Sequence, residues 1–320
     1  MKRFLCVCLS VVLVLCLVAC DNGTSQSDKK PDFTATGVNQ IKGVAEFEIL
    51  RMFQTKDVIP PKPASFYTHY EADDGFVYAV IVMNVKNLSE DEKVLNDLFE
   101  LTAKADGESY TAEPMGVIDG GTYLSSYHAV APLSTARAYY LLEVPEHTDL
   151  TALSITIKAG KVSLKGKLNI EDYADAVKTV KKGDVLTDGE TVEATLQDVY
   201  TTDALYPPNK SGYYHYFEAD SGKVYLVMEF TVKNLDGADL IYDDIAGVSC
   251  VYNEKYRYSG MTVFSEDGGQ DLSSYSNIYS LVPLESNTVY YLMELPEEAE
   301  NGPVEISIYM ADQDYRYLIG

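Results

Sequence analysis

The sequence predicts an all-β protein built from two tandem antiparallel β-sandwich domains joined by a short, partly helical linker. Three observations lead there. The 320-residue chain repeats itself: Phe66 to Leu88 and Tyr213 to Leu235 lie at a constant offset of 147 (213 − 66), and a Tyr/Phe/His cluster, Glu-Ala-Asp-x-Gly, Val-Tyr-x-Val and Val-Lys-Asn-Leu recur in order. The repeat is a whole domain, because solenoid and propeller units span only about 20–50 residues. Within each copy the apolar period is two, with Val77, Ala79, Ile81, Met83 and Val85 matched by Val224, Leu226, Met228, Phe230 and Val232. Such alternation places one apolar row on one face of a strand. Each copy then carries a Tyr-Tyr-Leu-x-Glu run closed by proline, Tyr139 to Glu146 and Tyr290 to Glu297, as expected for a strand that a proline terminates.

Taken in order, Lys2 and Arg3 precede an apolar run from Phe4 to Val18 that is too short to span a bilayer and reads as a signal peptide, residues 1–19. It ends in Leu17-Val18-Ala19-Cys20, which resembles the lipobox of bacterial lipoproteins. The resemblance implies cleavage before Cys20, lipidation of its thiol, and attachment to the outer face of the bacterial cytoplasmic membrane. Residues 20–42 are polar and turn-rich, and are expected to be a flexible tether. The first sandwich is placed at 43–168, starting near Val44. Leu98, Phe99 and Leu101 open a strand within it, Asp106-Gly107 marks a hairpin, and Ser154 to Ile157 is a further strand. The linker is placed at 169–189. Asn169 is a cap candidate followed by Tyr173, Ala176, Val177 and Val180 at helical spacing, with Gly183 as a stop. The second sandwich occupies 190–320, with Glu305 to Ile308 as the counterpart of Ser154 to Ile157.

Val77 to Leu88 with Tyr139 to Glu146, and Val224 to Leu235 with Tyr290 to Glu297, resemble the immunoglobulin-like domain of secreted antigens and lipoproteins of Gram-positive bacteria, a group largely of unknown function. The resemblance covers both sandwiches, and implies two immunoglobulin-like domains on an exported protein. It carries no catalytic residues over to this chain. The tryptophan and inter-sheet cysteine pair of antibody domains are missing, since the chain has no Trp.

Charge excludes one class of partner. The net charge is −24, and removing Lys2 and Arg3 with the signal gives −24 − 2 = −26, the opposite of the basic patches that bind nucleic acid. Of five cysteines, Cys6, Cys8 and Cys16 lie in the signal and Cys20 is the lipidation candidate, so Cys250 stands alone and no disulfide is expected. It aligns with Ala103, and reads as a small buried side chain.

No nucleophile elbow, zinc-binding helix or phosphate loop occurs. The four histidines, His69, His128, His147 and His215, do not align between the copies. Glu71 to Gly75 and Glu218 to Gly222 could offer oxygens to calcium, but turn chemistry accounts for the same residues, as it does for Asp119-Gly120-Gly121 and Asp267-Gly268-Gly269. No metal, cofactor or catalytic residue is therefore assigned. The candidate binding surface is aromatic: Tyr67 and Tyr70 follow Pro60-Pro61, and Tyr214 and Tyr216 follow Pro207-Pro208. Proline stiffens the loop and tyrosine offers contact area with few rotors, while inward-facing rings of a core would show the same pattern. The expectation is a non-enzymatic module for an extracellular protein or glycan. A small-ligand or glycan-binding accessory lipoprotein is the alternative, and an extracellular hydrolase is third.

Overall fold

The structure is a computed structural model that describes residues 32–63 and 67–320. The predicted signal, Cys20, the start of the tether and Phe66 lie outside the described residues. Residues 31–320 form one compact unit. The fold is all-β, as the period of two requires; its strand pairs are antiparallel apart from Lys178–Thr179 with Tyr315–Arg316, and among the described residues its α-helices are two of four residues each, with short 3-10 turns besides.

Each half is a two-layer sandwich. In the first, a six-stranded sheet contains Val38–Ile41, Ala45–Thr55, Phe76–Asn87, Thr135–Pro145, Glu113–Ile118 and Tyr123–Ser125, in the order in which they pair. It faces a four-stranded sheet of Val162–Leu168, Leu153–Ala159, Glu100–Ala105 and Glu108–Thr111. The second half repeats the arrangement with a six-stranded sheet centred on Lys223–Asn234 and a five-stranded sheet centred on Val304–Met310. The alternating rows read from sequence are the cores: Ala79, Ile81, Met83 and Val85 pack with Tyr140 and Ile157, and Leu226, Met228, Phe230 and Val232 pack with Tyr291 and Ile308.

The opposite face of each six-stranded sheet is apolar too. Val80 and Val82 point away from the sandwich core into a second cluster with Val58, Met115, Leu124 and Tyr139. Val227, Leu205, Val263, Leu272 and Tyr290 repeat it in the second half. Part of the cover is the loop that begins with the proline pair, held by short strand pairs, Asp57–Val58 with Tyr70–Glu71 and Ala204–Leu205 with Phe217–Glu218.

Three sequence expectations are corrected. The sequence places a tether at 20–42, but its described part is folded: Phe33 is buried against Phe47, and Val38–Ile41 is an edge strand paired with Ala45–Glu48. Gly166 makes room for it, since a Cβ there would meet the Phe33 ring at 2.5 Å. The linker helix reduces to a single 3-10 turn, Ile170–Tyr173, capped by Asn169, whose side chain accepts from Glu171 N–H. Sheet pairing competes it away, because Lys178–Thr179 joins Tyr315–Arg316 and Val185–Thr187 joins Glu193–Thr195. The second sandwich therefore begins near Lys178 rather than at 190. Leu98 closes a four-residue helix, Leu95–Leu98, and the strand starts only at Glu100.

The duplicated motifs have structural causes. Asn87 and Asn234, each fully buried in Val-Lys-Asn-Leu, tie the loop that follows them to a short strand outside the main sheet, Ala129–Val130 and Ser280–Leu281 respectively. The Asn87 amide donates to the carbonyls of Asp91 and Val130, and the Asn234 amide to those of Ala238 and Leu281, all at 2.8 Å. Their side-chain oxygens accept from Ser89 N–H and Asp236 N–H. The two remaining motifs meet each other, for the N–H of Asp73 donates to Glu143 and that of Asp220 to Glu294. Gly75 and Gly222 supply the left-handed backbone of these turns, with φ of 82° and 81°.

Replacing Asn234 by Leu removes the amide donor of the Ala238 and Leu281 carbonyls and leaves Asp236 N–H only its longer bond to the Thr191 carbonyl. Loss of about 3 kcal/mol in urea unfolding is expected, with Asn87→Leu behaving alike. Cys250 is buried, and burial pushes its thiol up to about 12. A thiol reagent at neutral pH should therefore leave Cys250 unmodified in the native protein and react once denaturant is added.

Candidate binding surface and the contact between the sandwiches

The outer face of the first six-stranded sheet meets the outer face of the second half's five-stranded sheet. Arg51 and Arg137 come from neighbouring regions of the first sheet, and both reach Asp314. Arg137 Nη2 lies 3.0 Å and Arg51 Nη1 3.5 Å from the same carboxylate oxygen. Arg137 also donates to the main-chain carbonyl of Asp312 and lies over the Tyr309 ring, 5.2 Å from its centroid. Burial opposes the charge of Arg137, yet Asp314 and its neighbours outweigh that effect and the pKa moves upward. Tyr309 donates its hydroxyl proton to Asp312 at 2.6 Å, which fixes the turn that Arg137 reads.

The proline loop of the first half completes the contact. Lys62 N–H donates to the carbonyl of Gly121, and the Lys62 main chain rests on Gly247, where a Cβ would stand 2.8 Å from the Lys62 Cα. Burial lowers the pKa of Lys62, against the raising influence of Asp244 and Asp243. Between the halves lies a cleft of about 280 Å³ lined by Arg51, Phe53, Pro61, Val251, Arg257 and Asp314, among others.

In the second half the same loop is turned outward and remains open. Asn209 N–H donates to the carbonyl of Gly269, as Lys62 does to Gly121. Tyr206 stacks on Tyr216 with ring centroids 4.9 Å apart and nearly parallel, Tyr214 meets Tyr206 edge-on, and Lys210 Nζ lies 4.0 Å above the Tyr206 ring. Tyr213 is 87% exposed and Tyr216 46%. The ledge is pinned at one end, since Asp271 accepts from the main-chain N–H of His215 and lies 2.9 Å from its ring nitrogen.

The four tyrosines singled out from sequence thus separate. Tyr214 and Tyr216 belong to this open ledge. Tyr67 is half-buried beside His69, and Tyr70 packs into the cluster behind the first sheet, where burial raises its pKa. Five cavities of about 180 to 670 Å³ occur among the described residues, and none of these five is lined by Tyr67, Tyr70, Tyr214 or Tyr216. Sequence reasoning missed Tyr206, Lys210 and the arginine–aspartate contact. The available signal was a break in the repeat: Arg51 aligns with Asp198, Arg137 with Thr288 and Gly247 with Glu100. His69 approaches Asp57 at 2.6 Å, but position 204, the counterpart of Asp57, is alanine, so the two His–Asp pairs are not one duplicated site.

No protein-family profile matches the chain, and no curated protein matches it. Among solved structures, the chain is similar to an uncharacterized β-sandwich protein from Clostridium difficile, at 27% identity and a TM-score of 0.43, over 45% of this chain and 95% of that one.

Gly247→Val should force the Lys62 backbone off its strand. The expected result is a larger radius of gyration by small-angle X-ray scattering with the β circular dichroism signal unchanged. Arg137→Ala should cost about 2 kcal/mol, because it leaves the mostly buried Asp314 carboxylate with only the longer Arg51 contact.

Proposed function

We propose that this protein is a lipid-anchored, extracytoplasmic binding protein made of two immunoglobulin-like modules, without enzymatic activity. The observation that carries the reading is the unequal use of one loop. In the first module the proline loop is committed to the neighbouring module through Lys62 and Gly247, whereas in the second it holds the stacked Tyr206–Tyr216 pair open to solvent.

Stacked, proline-braced tyrosines offer a flat apolar area with hydroxyl groups at its rim, and they lose little conformational entropy on binding. An open ledge suits a polymer such as a glycan chain, or a folded surface, better than an enclosed small molecule. The acid-rich remainder of the surface discourages nucleic acid. Anchoring rests on the Leu17-Val18-Ala19-Cys20 sequence, because acyl chains at Cys20 would each contribute about 0.8 kcal/mol per buried methylene.

Two measurements test the proposal. The chain from Asp21 onward should select ligands on a glycan and surface-protein array, and Tyr206→Ala with Tyr216→Ala should reduce capture about tenfold while leaving the melting temperature near the parent value; undiminished capture would exclude the ledge. Metabolic labelling with palmitate should mark the parent protein and not Cys20→Ala, and persistent label in the variant would refute anchoring at that residue.

A further inference from the structure

Because the halves are copies, the intramolecular contact defines two faces, and each is left free once. The outer face of the first six-stranded sheet is covered by its proline loop and the second half, while on the corresponding face of the second half the proline loop buries Val227 and Tyr290 and the part around Asp198, Glu229 and Glu266, with Tyr206 and Tyr216 at its margin, is left accessible. The outer face of the second half's five-stranded sheet is covered, while the corresponding four-stranded sheet of the first half is open. We propose that these two free faces dock on each other between molecules, so that a second copy of this chain is the partner of the aromatic ledge and the molecules join head to tail. This rests on the reading of that ledge as a binding surface, and names its partner.

Charge carries the argument. In the covered contact the six-stranded face supplies arginine, and the opposing sheet supplies Asp314 and the Asp312 turn. On the free faces Arg137 and Asp314 give way to Thr288 and Ser163, while acids enter the one face and lysines the other. Asp198, 2.7 Å from Lys182 of the same half, stands where Arg51 is, with Glu229 where Val82 is and Glu266 where Ile118 is. On the four-stranded sheet, Lys158 stands where Tyr309 is, Lys161 where Asp312 is and Lys104 where Val251 is. All three lysines are exposed, and Lys165 and Lys167 extend the row along the edge strand. In a chain of net charge −24, a sheet face whose charged side chains are mostly lysine is a segregated feature and not an average surface. Acidic face to basic face is attractive, whereas either face against its own kind is repulsive, which selects the head-to-tail pairing over a two-fold dimer.

The tyrosines suit the same partner, since ammonium groups settle on ring faces as Lys210 already does on Tyr206. One position departs from the covered pattern. Where Gly247 admits the Lys62 main chain, the first half has Glu100, and the loop it would meet carries Asn209. An amide and a carboxylate therefore meet there, and the two sheets stand further apart along that margin.

Sedimentation velocity on the chain from Asp21 onward, which contains the whole compact unit, tests the proposal. Association should grow with concentration and weaken as salt is raised. Asp198→Lys and Lys161→Glu, both exposed or half-exposed changes, should each weaken it by about tenfold, and an equimolar mixture of the two variants should recover heterotypic pairing. A monomer at every concentration and salt overturns the proposal, as does association indifferent to both changes. Capture of a glycan by the Tyr206–Tyr216 ledge of a strictly monomeric chain would overturn self-docking while leaving the binding role intact. Binding of the lysine face to anionic phosphatidylglycerol vesicles by a strictly monomeric chain would likewise overturn it.

Discussion

A sheet whose central strand is apolar on both faces must be covered twice, and that requirement organises this molecule. In Phe76–Asn87, Ala79, Ile81 and Met83 on one face and Val80 and Val82 on the other are all without solvent contact. The inner row is closed by the facing sheet. The outer row is closed by the proline loop, and in the first half the second sandwich completes the cover. Lys223–Asn234 has the same two-sided character, with Met228 and Val227 both fully buried. There the loop covers the central rings, and the rest of the face remains accessible.

Cores shared by both copies are conservative in arrangement, while their surfaces diverge. Tyr140 and Tyr291, or Asn87 and Asn234, hold the same places because each is enclosed by neighbours that would have to move with it. Close packing makes such sites costly to change. The outer positions are free of that constraint, so Arg51 can face Asp198 in the alignment and Gly247 can face Glu100. The contact between the halves consequently depends on residues that differ between the copies. The Arg51–Asp314 contact therefore has no counterpart among the copies, since Asp198 and Ser163 stand in those two places.

Much of the architecture was legible in the sequence because the signals are local. Alternation along Val77 to Val85 reports strand and face directly, Asp106-Gly107 adopts the left-handed backbone of a tight hairpin, and Val144-Pro145 and Leu295-Pro296 end their strands. Expectations failed where a distant partner decides the state. Phe33 lies in a polar stretch with no period of its own, and is ordered by Phe47 and by the space above Gly166. Residues 173–180 have helical spacing, yet only Ile170–Tyr173 makes a turn and pairing with Tyr315–Arg316 extends Lys178–Thr179.

The same division holds for the candidate site. Sequence alone determined two all-β copies, their alternating cores, the isolated cysteine and the aromatic loops, because each follows from residue type and near-neighbour spacing. Only the tertiary structure decided that one proline loop is consumed at the contact between the halves while the other carries an open tyrosine stack. That choice depends on whether a glycine lies opposite the loop, as Gly247 lies opposite Lys62, and such a relation across the molecule leaves no trace in local sequence order.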